Sequence, residues 1–150
     1  MIVYKGNSKL LSAYTTKGVP ALGDWQFADV PGTNDFSRDP SLACTPNSYP
    51  PLRLAWCSGS QIYYQLYYPG SWQQPIIVNN GIAGSVYNNY LPTLAITADQ
   101  NTHIAWQGLR PPWQEIVHNY NLNPTVFTEF VYPYYNNYSA PSISGHAGGR

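Results

Sequence analysis

The sequence predicts an all-β fold built from four-stranded antiparallel units, and three observations carry that prediction. The first is composition: of 150 residues only 9% are charged and 15% are aromatic, with 14 Tyr, 14 Pro and 12 Gly. Tyrosine suits the pleated, half-buried surface of a strand, and frequent proline and glycine mark many turns. The second is Leu91–Trp106. Pro92–Thr97 alternates in apolar character, Ala98–Asn101 supplies polar turn residues, and Thr102–Trp106 resumes the alternation, which is the pattern of a β-hairpin. The third is recurrence: Asp39–Trp56 repeats that hairpin with a longer turn, and Ala140–Arg150 begins it again. Runs with helical period and caps are absent.

In chain order, Ile2–Lys5 is a short β-branched and aromatic run. Lys9–Thr16 and the weak turn Gly18–Asp24 lead to a further strand at Trp25–Val30, and Pro31–Asp35 breaks the pattern. The first hairpin pairs Ser41–Thr45 with Leu52–Trp56, and Cys57–Ser60 turns the chain into Gln61–Tyr68. After Pro69–Ser71, Trp72–Val78 is a fourth strand in which Pro75 points to an edge position. Asn79–Tyr90 is a polar connection into the second hairpin. Gln107–Trp113 then turns the chain, Gln114–Tyr120 matches Gln61–Tyr67, and Thr125–Val131 matches Trp72–Val78. The segment Tyr135–Tyr138 repeats the Tyr-Asn-Asn-Tyr of Tyr87–Tyr90.

Landmarks recur about 50 residues apart. Pro40, Pro92 and Pro141 open the first strand of a unit, Trp56 and Trp106 close the second, and Ile2, Ile62 and Ile116 mark the third. Four strands at a period of roughly 40 to 50 residues is the signature of a β-propeller blade. With strands lettered A to D, residues 1–38 read as C and D of one blade, 39–90 and 91–138 as two full blades, and 139–150 as the A strand of the next. The fold class is therefore all-β, with about two full blades and partial flanking blades.

The segments Pro40–Ala43, Leu52–Trp56, Ile62–Tyr64 and Gly70–Trp72, with Pro92–Ala95, His103–Trp106 and Glu115–Val117 in the next unit, resemble the blades of sialidase-like (BNR, or Asp-box-like) β-propellers. An Asp-box turn reads Ser/Thr-x-Asp-x-Gly-x-x-Trp. Tyr68–Trp72 keeps its Gly and Trp without the Asp, and Leu22–Trp25 is equally degenerate. The resemblance implies the fold. It would also imply an arginine cluster, a Tyr nucleophile paired with Glu and an acid/base carboxyl, but Arg38, Arg53, Arg110 and Arg150 sit in no matching motif. Two full blades do not close a ring, so the partners expected are the remaining blades of a larger propeller or other copies of the chain.

Net charge is zero and the seven Lys and Arg are scattered, which excludes a nucleic-acid surface built on clustered cations. No apolar run reaches the roughly 18 to 20 residues of a membrane helix. Residues 1–14 lack the features of a signal peptide, while abundant Tyr, Asn, Ser and Thr match a secreted or cell-surface protein. Cys44 and Cys57 are the only cysteines. With Cys44 opposite Arg53, Cys57 lies about four residues further along, roughly 13 Å at about 3.3 Å per residue, so free thiols are expected. His103, His118 and His146 share no spacing and the seven acids form no recurring pair, so no metal, cofactor or catalytic residue is assigned. Trp56 and Trp106 are expected to pack between blades.

In a propeller the D–A and B–C connections share one face. That face would display Tyr87, Tyr90, Arg110, Trp113, Tyr135 and Tyr138, and aromatic rings beside amide and guanidinium donors suit a glycan or protein ligand. The expected function is a non-catalytic propeller segment acting as a structural or binding scaffold. The alternatives are part of a sialidase-like glycoside hydrolase and a lectin-like ring assembled from several copies.

Overall fold

The computed structural model describes residues 1–44, 51–79, 88–110, 113–123, 126–134 and 141. The described residues form three antiparallel sheets and one short 3-10 turn. Sheet 1 holds β1 (Ile2–Lys5), β2 (Leu10–Tyr14) and β3 (Gln26–Asp29) in that order. Sheet 2 runs β4 (Ser37–Cys44), β5 (Leu52–Ser58), β6 (Gln61–Tyr68) and β7 (Ser71–Trp72), with β8 (Ile76–Ile77) also paired to β6. Sheet 3 is β9 (Asn88–Ile96), β10 (Thr102–Arg110), β11 (Trp113–Asn123) and β12 (Val126–Tyr134), each paired to its neighbour in sequence.

Residues 1–38 thus contain three complete strands and the start of β4, where sequence spacing allots two strands. The strand read at Trp72–Val78 is divided. Pro75 has no N–H for the ladder, so Trp72 pairs with Tyr67 and Ile76 with Tyr64, leaving a gap between β7 and β8. The Gln65 side chain enters that gap, donating from Nε2 to the Gln73 carbonyl at 2.6 Å and to the Pro31 carbonyl at 3.2 Å. A side-chain amide thereby satisfies backbone that the ladder does not.

Sheets 2 and 3 repeat each other residue by residue. Leu42 pairs with Leu54 as Leu94 pairs with Ile104, and Arg38 pairs with Cys57 as Tyr90 pairs with Gln107. Between these pairs each first strand bulges, and the bulge carries a residue at positive φ: Asp39 at 52° and Leu91 at 50°. Proline follows at both places, Pro40 and Pro92. A bulge on an edge strand is where a residue without an N–H is tolerated, so the recurring proline and the recurring bulge are one feature.

The shared register corrects one detail of the first hairpin. Arg53 pairs with Ala43, and Cys44 pairs with Leu52. The second hairpin has the same arrangement because its turn closes at Ile96 and Thr102, held by Thr97 N–H to the Asn101 carbonyl at 3.0 Å and Gln100 N–H to the Thr97 carbonyl at 2.9 Å. Cys44 is thus the counterpart of Ile96. Cys57 lies five residues along β5 from Leu52, roughly 16 Å at about 3.3 Å per residue, and both thiols are free.

The sheets pack face to face. Leu54 and Trp56 of β5 point toward sheet 1 and join Leu10, Val30, Val3, Leu42, Tyr63 and Trp72. On the other face of sheet 2, Ala55, Cys57, Ile62 and Tyr64 meet Leu94, Ile96, Ile104 and Trp106 of sheet 3. Trp56 and Trp106, equivalent by register, are both fully buried, one in each interface. Each fully buried side chain of this kind contributes roughly 1.5–3 kcal/mol. Polar bonds lock the second interface: Leu94 N–H donates to Ser41 Oγ at 3.0 Å and Asn119 Nδ2 to the Val78 carbonyl at 3.0 Å. β9 packs against β4 and β5, and β4 against β1. Among the described residues no helix is long and apolar enough to cross a membrane.

Candidate functional site

The register brings several of the expected site positions to one end of the stack. Asn88 pairs with Leu109, and Arg110 pairs with Trp113, so the start of β9, the end of β10 and the start of β11 coincide. Gln114 pairs with Tyr134, adding the end of β12. Arg38, Cys57 and the turn at Gly59 and Ser60 lie at the corresponding end of sheet 2. Tyr90, Arg110 and Trp113 therefore share this end, placed by their backbones, whereas Tyr87, Tyr135 and Tyr138 lie outside the described residues.

The best-defined contact here is one that sequence reasoning missed. The Arg38 guanidinium lies 4.8 Å from the centre of the Tyr90 ring. Arg38 and Tyr90 are equivalent positions of sheets 2 and 3, each immediately before the positive-φ residue. Because β4 and β9 pack together, equivalent residues of successive sheets become neighbours, and here they form a cation-π pair. The signal was available in the alignment that equated Pro40 with Pro92.

Cys57 sits beneath this pair. Its Sγ lies 3.4 Å from Arg38 Nε and 3.3 Å from Asp39 Oδ2. Arg38 donates to the sulfur, and the thiol donates to the Asp39 carboxylate. Burial pushes the Cys57 thiol up to about 11, with the Arg38 bond opposing that rise and Asp39 adding to it. The sulfur is therefore a protonated thiol near neutral pH and a poor nucleophile. Arg38 stays half-exposed and lies 3.8 Å from Asp39 Oδ2, while the Tyr90 ring it covers is partly buried.

Behind Tyr90, Asn89 links the two sheets. Trp106 Nε1 donates to Asn89 Oδ1 at 2.9 Å, and Asn89 Nδ2 donates to the Ser60 carbonyl at 2.5 Å. This chain of bonds fixes the start of β9 against the β5–β6 turn, which holds the Tyr90 backbone in place.

At the opposite end, Arg53 is nearly buried and donates from Nη1 to the Gln100 carbonyl at 2.8 Å and to Thr102 Oγ1, which also bonds the Tyr64 hydroxyl at 3.0 Å. These contacts tie the turn of sheet 3 to sheet 2. On sheet 3, His103 and His118 occupy the positions equivalent to Arg53 and Tyr64. Their rings stack at 5.3 Å with Nδ1 of His103 3.0 Å from Nε2 of His118. Burial lowers the pKa of both, Asp99 opposing the shift at His103 and the neighbouring His103 adding to it at His118. His146 lies outside the described residues, among which no three candidate ligands gather for a metal ion.

A groove of about 330 Å³ opens where β7 and β8 separate, lined by Tyr64, Gln65, Leu66, Tyr68, Gln73, Gln74 and Ile76. Its aromatic wall and amide rim suit a small polar ligand with one apolar face. The proline inside a strand pattern was its only trace in the sequence.

Comparison with protein-family models, with curated proteins and with solved structures finds no match for this chain.

Proposed function

We propose that the chain is a non-catalytic β-propeller segment of a secreted or cell-surface protein, its sheets serving as blades of a scaffold for a protein or glycan ligand. The observation that carries this reading is the repeated interface. Sheet 2 meets sheet 1 through Trp56 and sheet 3 meets sheet 2 through Trp106, each buried at the same register position. A unit that buries both faces against like neighbours is the building principle of radial repeat folds. The ligand-binding end is the one bearing Arg38 and Tyr90, where a half-exposed guanidinium lies over a partly buried ring. The buried, protonated Cys57 supplies no nucleophile there.

Glycan- and peptide-array binding, combined with a fluorogenic sialoside assay, tests the reading. Binding without turnover is expected, weakened about ten-fold or more by Tyr90→Ala while circular dichroism stays unchanged. Sialoside hydrolysis by the purified chain would replace the scaffold with a sialidase-like enzyme.

A further inference from the structure

The groove between β7 and β8 is built into the fold, and is not the gap of a frayed strand. Gln73 is bonded to β6 through both its backbone groups: its N–H donates to the Leu66 carbonyl at 2.9 Å, and its carbonyl accepts from Gln65 Nε2 at 2.6 Å. The same amide reaches the Pro31 carbonyl at 3.2 Å, and Gln65 is only 1% exposed, so it supports the groove from beneath. Pro75 is held from the other side. Gly32, in the turn after β3, has φ of 76°, and a Cβ placed there would stand 2.7 Å from the Pro75 ring. Only glycine combines that backbone with so close an approach.

The break belongs to sheet 2. At the equivalent height of sheet 3, Asn119 pairs with Glu129 and Tyr120 with Thr128, so the ladder runs on. Asn119 and Gln65 are equivalent by register, both are buried, and each sends its amide N–H to a carbonyl shortly after the last strand of the preceding sheet, Val78 for one and Pro31 for the other. Gln65 is one methylene longer and takes a second carbonyl, that of Gln73. That extra bond holds the outer strand away from β6 in this unit.

The lining is mixed and uncharged. Tyr64 and Tyr68 give ring surface, Leu66 and Ile76 give aliphatic surface, and Gln73 and Gln74, both exposed, form the rim. Among the described lining residues there is no Asp, Glu, Lys, Arg or His. A charged ligand would lose hydration here without meeting a counter-charge. A wholly apolar one would cover the rim amides without bonding them. A neutral sugar ring satisfies both conditions: its C–H face suits an aromatic wall, and its hydroxyls donate and accept as an amide does. At about 330 Å³ the groove lies at the small end of ligand sites, which suits a single ring.

We propose that this groove binds one neutral hexopyranose unit of a glycan, its C–H face against Tyr68 and its hydroxyls bonded to the side-chain amides of Gln73 and Gln74. The groove shares no residue with the Arg38 and Tyr90 pair, so it is a second site whose existence does not depend on what the first one binds.

NMR titration of the intact 15N-labelled chain with methyl β-D-glucopyranoside and methyl β-D-galactopyranoside tests this. At least one should bind with a dissociation constant of roughly millimolar order, as expected of so small a ligand. The largest shifts should fall on the side-chain amides of Gln73 and Gln74 and on the backbone of Tyr68. Tyr68→Ala and Gln74→Ala should each weaken binding about five-fold or more, the worth of one lost contact, and Val19→Asp, at an exposed loop position, should not. Circular dichroism separates loss of binding from loss of folding. No shift with either glycoside at about 50 mM, well above the expected dissociation constant, would overturn the proposal. So would equal binding of the anionic methyl β-D-glucuronide, or folded Tyr68→Ala and Gln74→Ala variants that bind as the parent chain does. Shifts confined to Asn89 and Tyr90 would place the sugar at the other end, overturning this site and leaving the scaffold reading standing.

Discussion

Trp56 and Trp106 occupy the same register position and are equally buried, yet the same substitution should affect them differently. The Trp106 indole N–H donates to Asn89 Oδ1 at 2.9 Å, whereas the Trp56 indole N–H, fully buried, has no acceptor among the described residues. Replacing either by Phe removes similar ring volume, so that loss is common to both. Trp56 stacks on Tyr63 with centroids 5.4 Å apart and planes 12° from parallel, an arrangement Phe can keep. At Trp106 the substitution also removes a hydrogen bond worth about 1 kcal/mol net. At Trp56 it removes an unmet buried donor, whose desolvation costs about 1–3 kcal/mol, and recovers part of that. Trp106→Phe should therefore be about 2 kcal/mol more destabilising than Trp56→Phe. In urea titration, with a slope of about 1–3 kcal/mol per molar, the two midpoints should differ by about 1 M at equal slopes. Equal midpoints, or a lower one for Trp56→Phe, would refute the assignment of the Asn89 bond as the distinguishing contact.

Three further outcomes follow from local geometry. His103 and His118 bind protons less readily when folded than when unfolded, so stability should be constant above the ordinary histidine value of 6.5 and fall as pH drops below it. Thermal melts between about pH 8 and 5 should show that loss, and His103→Gln should flatten the profile. Cys44 is exposed and Cys57 buried, its thiol raised to about 11, so a disulfide reagent at pH 8 should titrate one thiol quickly and the second only on unfolding. At position 91, φ of 50° penalises any side chain by about 1–2 kcal/mol, so Leu91→Gly should unfold at higher urea than Leu91→Ala, the reverse of the usual strand order.

The strand order of sheets 2 and 3 was legible because turn residues and alternation fell at a common spacing. The phase of sheet 1 was not. Ile2 resembles Ile62 by residue type, but the turn at Gly6, Asn7 and Ser8 takes the place of Gly59 and Ser60 and makes Leu10 the counterpart. Residue identity gave one phase and turn chemistry another, and backbone pairing follows the turn because it sets which residues can face each other. The break in the last strand of sheet 2 was half visible. Pro75 pointed to an edge, but nothing local tells Gln65, ten residues earlier, that its amide must fill the gap.

The Arg38 and Tyr90 pair shows why the candidate site could not be read from one unit. Tyr90 ends the repeated Tyr-Asn-Asn-Tyr, but Arg38 belongs to no motif, and the two are 52 positions apart. They meet because a positive-φ bulge recurs at Asp39 and Leu91, setting the residue before it at the same height in successive sheets, and because β4 and β9 pack together. A repeat fold converts equivalence along the chain into adjacency in space. Divergence between equivalent positions, here Arg against Tyr, then creates a mixed surface at the junction of two sheets. Among the described residues, the Arg38 and Tyr90 pair is the mixed contact that this junction of sheets 2 and 3 defines.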